Sequence, residues 1–592
     1  MYAVPIDEIR FVLNEIAGLP EICALPAHAD LTPELVDAVV RENARLMHDV
    51  VAPLNRVGDT QPPQWHDGVV TTTAGFREAF QQFVAGGWQG TAQPHALGGQ
   101  GLPHLVAAAC TENLNAANMA FALCPLLSDG VVDALRTAGS PEQQEQLIPR
   151  LLRGQITGTM NLTEPQAGSD LALIRTRAEP QPDGTYRLTG QKIFITWGEH
   201  DLADNIVHLV LARTPDAPPG IKGISLFIVP KFLMQADGTP GPRNDVYCAA
   251  LEHKLGIHGS PTAVMVYGSG YGDVGTGAVG YRVGPENHGL QIMFVMMNAA
   301  RYAVGLQGVA IAERASQQAQ AYAAQRQQGR ALGSTQAIDT IDQHPDVQRM
   351  LLTMRGLTEG ARALAYVAAA EADRALHHPD PAVRREAQAR YEFLVPVIKG
   401  FATESAQEVA GLAIQVHGGM GFIEDTGVAQ TYRDARILTI YEGTTAIQAN
   451  DLLGRKTLRD GGQVAAAFVP SIQATIAALR DAVPHGHELA EALAVGLDDY
   501  RAAVAHLVAT GQGQPREAYA GSVPYLLLAG LVLTGWQLSR AILALSPQPD
   551  TPFRVNKLRV ARFYLLHLLP RTAALRQAII TGGSAVEALH PL

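Results

Sequence analysis

The sequence MNLTEPQAGSD, residues 160–170, stands where the hydrophobic pattern of the chain changes from helical to strand-like. Before it, segments such as LTPELVDAVVRENARLMHDVVAPL (31–54) repeat apolar residues at i, i+3, i+4 and i+7, which predicts helices to about residue 158. After it, β-branched runs such as NIVHLVLART (205–214) are separated by Gly, Pro and Asp. This second pattern predicts an antiparallel β-barrel domain that extends to about residue 285.

The helical pattern returns after residue 285. A long segment at 289–326 is followed by two more with short links, which predicts a four-helix bundle. Gly461 and Gly462 then interrupt the pattern before a further Ala/Leu-rich helical segment. We therefore predict a mostly helical α+β protein with four domains. They are an N-terminal helical domain (1–158), a middle antiparallel β-barrel domain (159–285), a C-terminal four-helix bundle (286–462) and an additional C-terminal helical domain (463–592).

The composition limits the class of protein. The chain has 592 residues, of which 47% are hydrophobic and 17% charged, and this balance is typical of a folded protein. Its net charge of −11 disfavours a nucleic-acid binder held by phosphate neutralisation. The four cysteines, Cys23, Cys110, Cys124 and Cys248, are too widely spaced for a CxxC zinc or redox motif. They fit reduced thiols, so we expect a cytoplasmic protein with no metal site.

Two segments resemble signals that we do not assign. The uncharged segment 518–539 is long enough to span a bilayer, but its strongly apolar part covers only about 525–536, which predicts a buried helix rather than a membrane span. The sequence GTGAVG (275–280) matches a dinucleotide-binding pattern, yet residues 281–285 continue as a strand and no helix opens at the third glycine. We interpret it as a hairpin tip between two strands.

A few polar residues could carry chemistry. Thr163 and Ser169 offer hydroxyls in the 160–170 turn, and Gly168 lets the backbone approach a flat ligand closely. Further along, ILTIYEGTTAIQANDLLG (437–454) delivers a single carboxylate, Glu442, from an apolar run to a glycine turn. Burial between apolar walls raises the pKa of a carboxylate and makes it a better proton acceptor near neutral pH. Glu442 is therefore a candidate general base.

Four motifs in the same order resemble those of the acyl-CoA dehydrogenase family of flavoenzymes. They are TEPxAGSD, QKxxIT, QxxGGxGF and RDARIxxIYEGT, and the resemblance covers roughly residues 40–460. The extra length and the spellings GFIEDTGV and AQRQQGRALG resemble the long branch that includes 3-methylmercaptopropionyl-CoA dehydrogenases. Two positions depart from the common pattern. Gln-Gln-Gly-Arg follows Arg326, where the common short spelling has a Phe before the Gly, and Ala446 stands where many members have Gln.

The resemblance implies a set of site residues, with Glu442 as the catalytic base. It implies contacts to the FAD isoalloxazine from Leu162, Thr163, Ser169, Phe194 and Thr196, with Met160 and Gly168 beside them. It implies contacts to the FAD phosphates from Thr444, and across a subunit interface from Arg326, Gln415, Gly418 and Gly419. It implies substrate contacts from Ser169, Arg301, Tyr441 and Gly443.

By the same resemblance, the chain is expected to be a homodimer that binds FAD and oxidises an acyl-CoA thioester to a trans-2-enoyl-CoA. The substrate would be a short or medium acyl chain or a methylthio-acyl chain, and an electron-transferring flavoprotein would accept the electrons. Two alternatives stay open. One is an acyl-CoA oxidase that passes electrons to oxygen. The other is a DNA-binding flavoprotein that uses the basic cluster of Arg554, Lys557, Arg559 and Arg562.

Overall fold

The computed structural model of the protein describes residues 2–235, 237–482 and 486–586. They form two compact units. The first, which we call the sheet unit, contains residues 46–102 and 117–300. The second, the helical unit, contains residues 2–45, 103–116 and the described residues from 301 onwards.

Helices dominate the chain, as the sequence predicts, and short 3₁₀ and π turns follow several of them. In chain order the α-helices are α1 Ile6–Phe11, α2 Leu19–Cys23, α3 Pro33–Leu46, α4 Leu54–Thr60, α5 Phe76–Ala85, α6 His104–Ala138, α7 Pro141–Leu152, α8 Gly289–Ala323, α9 Pro345–His377, α10 Pro381–His417, α11 Val428–Ala435, α12 Thr445–Leu453, α13 Gln463–Ala466, α14 Val469–Ala482, α15 Gly486–Gly511, α16 Pro515–Ala520, α17 Ser522–Leu545, α18 Pro552–Phe563 and α19 Arg571–Gly582.

The strands lie in the sheet unit. They are β1 Gln64–His66, β2 Val69–Thr71, β3 Ile156–Asn161, β4 Arg177–Pro180, β5 Tyr186–Thr196, β6 Asn205–Ala212, β7 Ser225–Pro230, β8 Phe232–Met234, β9 Pro240–Arg243, β10 Val246–Leu251, β11 Thr262–Tyr267 and β12 Ala278–Val283. The β1–β2 hairpin falls within the stretch where the sequence predicts helices only.

The main sheet has eight strands and is open, so the predicted barrel is wrong. Its order is β10-β11-β5-β12-β7-β6-β3, with β4 paired to the long strand β5. A barrel would require the end strands β10 and β3 to pair with each other, whereas among the described strands β10 pairs with β11 alone and β3 with β6 alone. That β3–β6 pair is parallel, so the sheet is also not antiparallel throughout. Alternation along one strand shows which face is buried, but not which strands meet at the edges.

Short-range contacts decide the local structure at two points of the sheet unit. Ser140 begins α7 with a capping box: its hydroxyl accepts a hydrogen bond from the Gln143 amide, and the Gln143 side chain accepts one from the Ser140 amide. Likewise, GTGAVG leads directly into strand β12 and opens no helix, so it is not a dinucleotide-binding turn.

In the helical unit, α9 and α10 are long and pack against the part of α8 from residue 301 onwards. The Tyr302 hydroxyl donates a hydrogen bond to the Ala365 carbonyl at 2.8 Å. A Cβ at Gly308 would lie only 2.7 Å from backbone atoms of Ala402, so glycine permits the close approach of α8 to α10. The segment predicted as a four-helix bundle thus contains three long helices, α8, α9 and α10. The shorter helices α11 and α12 follow them.

Helix α17 contains the uncharged segment. Among the described residues, two helices, α6 and α17, are long and apolar enough to cross a membrane by length and composition, and a bent pair of helices could add a third. Within α17, 78% of the most apolar window is buried inside the protein. Its neighbours include α10, α12 and α19, so its apolar side chains are covered by other helices of the same unit.

Buried charges tie the additional C-terminal helices to the rest of the helical unit. Lys557 of α18 is 3% exposed and donates hydrogen bonds to Glu8 of α1 and, at 2.8 Å, to Glu359 of α9. Arg355, one turn before Glu359, bonds to it at 2.9 Å. An ion-pair network of buried side chains therefore joins α1, α9 and α18 within the helical unit.

Candidate active site

Glu442 lies in a short loop between a 3₁₀ turn at Arg436–Thr439 and the start of α12. Its backbone is left-handed, with φ of +52°, and Gly443 follows with φ of +89°. Such angles are costly for a residue with a side chain, and they are held only where the surroundings fix them. Thr444 then caps α12 by accepting a hydrogen bond from the Ile447 amide at 3.3 Å.

The surroundings of Glu442 match a proton acceptor. Burial raises the pKa of its carboxylate above the usual range, while the positive charges of Arg301 and Lys399 oppose that shift. A raised pKa brings a carboxylate closer to neutral pH, where it accepts protons more effectively. This raised pKa agrees with the desolvation expected from the apolar sequence around Glu442, and Lys399 is a neighbour that the motifs do not identify.

Arg301 is the second predicted residue beside Glu442. It is 3% exposed, and its Nη1 lies 3.5 Å from Oδ2 of Asp451 on α12. Its Nε is buried and has no hydrogen-bond partner among the described residues. Burial lowers the pKa of this guanidinium, and Asp451 opposes the shift. An unpaired buried donor is costly, so the site fits a ligand that supplies an acceptor.

Lys399 lies in α10, is fully buried and contacts the main chain on either side of Glu442. Its Nζ donates hydrogen bonds to the carbonyls of Leu438 at 2.9 Å and Gly443 at 2.6 Å. Burial lowers the pKa of its ammonium to about 8, and Glu442 opposes the shift. The available sequence signal was a lone cation in the apolar segment FLVPVIKGFA, because a buried lysine requires partners.

Tyr441 precedes Glu442, and its hydroxyl is already engaged. It donates a hydrogen bond to Oε1 of Gln307 on α8, and Nε2 of Gln307 donates to Asn115 at 3.0 Å. Burial raises the pKa of the Tyr441 hydroxyl, so it stays protonated. This chain of hydrogen bonds fixes the residue next to Glu442, and a direct substrate contact by Tyr441 stays a prediction.

The sheet unit brings the predicted isoalloxazine contacts together. The Thr163 carbonyl accepts a hydrogen bond from the Ile193 amide at 2.9 Å, so the turn after β3 lies against the end of β5. Lys192 of β5 is buried and donates to the Leu162 carbonyl at 3.0 Å and to Glu164 at 2.8 Å. Lys192 belongs to the QKxxIT motif and Glu164 to the TEPxAGSD motif. Their ion pair therefore connects the two motifs in the structure.

Phe194 and Thr196 occupy the end of strand β5. Phe194 is 58% exposed and has a left-handed backbone, with φ of +58°. An exposed ring held in a strained conformation forms a flat apolar surface that another planar group could cover. Thr196 is half-buried and pairs in register with Thr262. Met160 is buried in β3, whereas Gly168 and Ser169 are exposed and a Cβ at Gly168 would meet open space.

The predicted phosphate contacts other than Thr444 form a separate group at one end of the helical unit. Gln415 lies in the last turn of α10, Gly418 and Gly419 begin the 3₁₀ turn after it, and Arg326 follows α8. The stacked rings of Tyr322 and His417, with centroids 4.3 Å apart, hold these two ends together. All four residues are exposed, and a Cβ at Gly418 or Gly419 would meet open space. At about 1.5 Å per residue, Gln415 lies about 24 Å along α10 from Lys399.

Removal of the Lys192 ammonium tests the link between the two motifs. We expect Lys192→Met to lower the free energy of unfolding by about 1–3 kcal/mol, because Glu164 keeps its bonds to Arg175 and Thr176 but loses a buried cation. We also expect less flavin to remain bound after purification. Lys222→Met, at an exposed position, is the matched control. Equal stability and equal flavin content in both variants would contradict the link.

The basic cluster considered for DNA binding is largely occupied inside the helical unit. Lys557 is buried between Glu8 and Glu359, Arg554 pairs with Asp550, and Arg562 pairs with Glu488 at 2.9 Å. Of these four cations in the described structure, Arg559 alone has no acidic partner, and one exposed cation makes no phosphate-binding stripe. This arrangement favours a packing role for the cluster.

Four segments match four models of one family. They are "Acyl-CoA dehydrogenase, N-terminal domain" over residues 56–155, "middle domain" over 159–268, "C-terminal domain" over 287–456 and "Acetyl-CoA dehydrogenase C-terminal like" over 468–590. The chain therefore belongs to the acyl-CoA dehydrogenase family. It is an enzyme, an oxidoreductase that acts on CH–CH groups, and members of its family are flavoproteins that use FAD.

Individual relatives extend over the whole chain. The 3-methylmercaptopropionyl-CoA dehydrogenase of Ruegeria pomeroyi is 50% identical over 99% of each chain. The broad-specificity linear acyl-CoA dehydrogenase FadE5 of Mycobacterium tuberculosis is 34% identical over 96% of each chain. Among solved structures, Caenorhabditis elegans ACDH-11 in complex with C11-CoA shares the fold with a TM-score of 0.74, covering 97% of this chain and 95% of that chain at 20% identity.

Proposed function

We propose that this enzyme uses FAD to oxidise an acyl-CoA thioester to a trans-2-enoyl-CoA, with Glu442 as the base that removes the α-proton. The observation that carries the proposal is the position of Glu442, a half-buried carboxylate on a left-handed loop, with Arg301 and Lys399 as its nearby cations. The product follows from loss of a proton from the α-carbon and a hydride from the β-carbon, which leaves a double bond between them.

The chain's own residues suit the proton-transfer half of the reaction. Glu442 carries the single carboxylate on its loop, and its ionised form accepts the α-proton. As that proton leaves, negative charge develops on the thioester oxygen, and backbone N–H groups of the loop are suitable donors to it. Tyr441, held by Gln307, and Gly443, held by Lys399, keep the loop from relaxing on either side of the base.

FAD would be held in the sheet unit by the turn at Leu162 and Thr163, with Phe194 against its ring system. When bound, FAD supplies the two-electron acceptor that takes the hydride. The fit rests on the exposed ring of Phe194, on the open space around Gly168, and on the anchoring of the turn by Lys192. Within the helical unit, Thr444 caps the N-terminus of α12, where backbone N–H groups suit a phosphate.

For the substrate, we propose a short or medium acyl-CoA, with 3-methylthiopropanoyl-CoA as the first candidate. The support is the 50% identity over 99% of the chain to the Ruegeria pomeroyi relative of that specificity. An electron-transferring flavoprotein would be the acceptor. The test is a panel of acyl-CoAs of increasing length, with and without a thioether, assayed with an artificial acceptor and then in air. Turnover with 3-methylthiopropanoyl-CoA and no peroxide is expected, whereas stoichiometric peroxide would identify an oxidase.

We propose a homodimer in which the partner completes each FAD site. Arg326, Gln415, Gly418 and Gly419 are exposed and far along α10 from Lys399, so they suit a cofactor bound mainly by another copy of the chain. The apolar residues next to them support an interface: Phe422 is 88% exposed, Met420 48% and Ile423 44%.

A charge placed in this apolar surface should separate the subunits. We expect Phe422→Asp to give a monomer by light scattering and to lose FAD during gel filtration, because a buried unpaired carboxylate is costly at an interface. Tyr519→Asp, on α16 and 39% exposed, serves as the control and should leave the oligomer intact. A Phe422→Asp protein that stays dimeric with full FAD content would contradict this interface.

A further inference from the structure

The loop that carries Glu442 holds two consecutive left-handed residues, and two side chains from beneath it contact its main-chain carbonyls. Nζ of Lys399 donates to Leu438 at 2.9 Å and to Gly443 at 2.6 Å. Nε2 of Gln448 lies 3.3 Å from the carbonyls of Glu442 and Gly443. Both Lys399 and Gln448 are fully buried. The buried ammonium of Lys399 therefore holds one carbonyl on each side of Glu442, that of Leu438 and that of Gly443.

We propose that Lys399 is a positioning residue for Glu442, which fixes the strained loop through the Leu438 and Gly443 carbonyls and sets a positive charge beside the carboxylate. This inference rests on the proposed function of Glu442 and adds a residue that acts through it. A lysine kept only for packing would be costly at this depth, since an ammonium loses its hydration on burial. Here that cost is offset by two carbonyls and the nearby carboxylate.

The charge has a definite direction of effect. The charged groups around Glu442 come from three elements: Arg301 of α8, Lys399 and Glu404 of α10, and Asp451 of α12, with Arg455 just beyond α12. Arg301 forms an ion pair with Asp451 at 3.5 Å, and Asp451 also accepts a hydrogen bond from Arg455 at 2.5 Å. Lys399 makes no such ion pair with a carboxylate in the described structure, and its hydrogen bonds are to neutral carbonyls. Its positive charge is therefore available to keep Glu442 ionised.

Three substitutions separate the hydrogen bonds from the charge. Lys399→Met removes both, Lys399→Gln keeps a donor without the charge, and Lys399→Arg keeps the charge. Of the Met and Gln variants, we expect flavin reduction by acyl-CoA to slow by about 100-fold in Met and by less in Gln, which keeps a donor. We also expect the acid limb of the pH–rate profile to move upward by about one pH unit, because loss of a cation raises the pKa of a nearby carboxylate. The Arg variant should keep the acid limb of the wild-type enzyme.

A second readout does not depend on turnover. The infrared band of the protonated Glu442 carboxyl can be identified by its absence in Glu442→Gln and titrated in the holoenzyme. We expect its midpoint to rise in the Met and Gln variants by the same amount as the acid limb. Gln448→Met, which removes only neutral donors, is the matched control and should lower the rate without moving either midpoint. If Lys399→Met does not fold, Lys399→Gln carries the comparison with Lys399→Arg.

The outcomes distinguish the two levels of inference. Unmoved midpoints in the Met and Gln variants, with a lower rate alone, would overturn the role of Lys399 while leaving Glu442 as the base. Full reduction of the flavin in Glu442→Gln would instead overturn the proposed function. Coincident upward shifts of the limb and the infrared midpoint would establish Lys399 as the residue that positions and ionises Glu442.

Discussion

Glu442→Gln is expected to slow reduction of the bound flavin by acyl-CoA by about 10⁴-fold, the upper range for loss of a general base. The amide has nearly the same shape as the carboxylate but does not accept the α-proton. Flavin content should be unchanged, because Glu442 is not among the residues proposed to hold FAD. The measurement is anaerobic stopped-flow absorbance of the flavin after mixing with acyl-CoA.

A matched glutamate controls for the substitution itself. Glu408 lies on α10, is 37% exposed and pairs with Arg571 at 2.8 Å, so Glu408→Gln should reduce its flavin at the wild-type rate. In the wild type the rate should fall as the pH drops through the pKa of Glu442, since only the ionised carboxylate accepts the proton. Burial raises that pKa, so the fall should lie above the ordinary glutamate value of about 4.3. A Glu442→Gln enzyme within about tenfold of wild type would contradict the assignment.

Lys557→Met is expected to lower the free energy of unfolding by about 3–5 kcal/mol, because it leaves two buried carboxylates without their shared cation. Glu359 retains Arg355, but Lys557 is the side chain that bonds to Glu8 in the described structure. Denaturant unfolding followed by far-UV circular dichroism measures the change. A loss of this size would mean that the additional C-terminal helices are part of the same cooperative structure as α1 and α9.

The control and the pH dependence make this second prediction specific. Arg562 and Glu488 form an exposed pair, 50% and 53% accessible, and Arg562→Met should cost about 0–1 kcal/mol. Burial already raises the pKa of Glu8, and removal of Lys557 raises it further. When the pKa of a carboxyl is raised in the folded state, the folded protein becomes less stable as the pH rises. The loss of unfolding free energy in Lys557→Met should therefore be smaller near pH 5 than near pH 7.5. Similar losses for both variants would contradict the network.

Sequence and structure agree where short-range interactions decide the outcome. The strand that contains the end of GTGAVG (275–280) and the long helices α9 and α10 each depend on neighbours within a few residues. Closure of the sheet depends instead on which distant strands meet, and there the sequence pattern predicted a barrel that does not form. The parallel β3–β6 pair has the same origin, because alternation along a strand does not specify its partner's direction.

The same distinction applies to the site. Motif order identified Glu442, Arg301 and the residues of the 160–170 turn, but gave no role to Lys192 and Lys399. Lys192 and Lys399 lie 30 and 39 residues from the Leu162 and Leu438 carbonyls that they contact. Both lysines bond to main-chain carbonyls. Every residue has such a carbonyl, so the sequence does not show which one a lysine will contact. Each lysine supports the loop that presents the chemistry in its own unit.

The most direct test of the proposed function is a single anaerobic turnover. The purified holoenzyme is mixed with one equivalent of 3-methylthiopropanoyl-CoA per flavin, the flavin absorbance is followed, and the CoA products are identified by mass spectrometry. We predict that the flavin bleaches and that about one enoyl-CoA, lighter by two hydrogens, forms per flavin reduced. A flavin that stays oxidised with this substrate and with every acyl-CoA of the panel would contradict the assignment of Glu442 as the base of an acyl-CoA dehydrogenase.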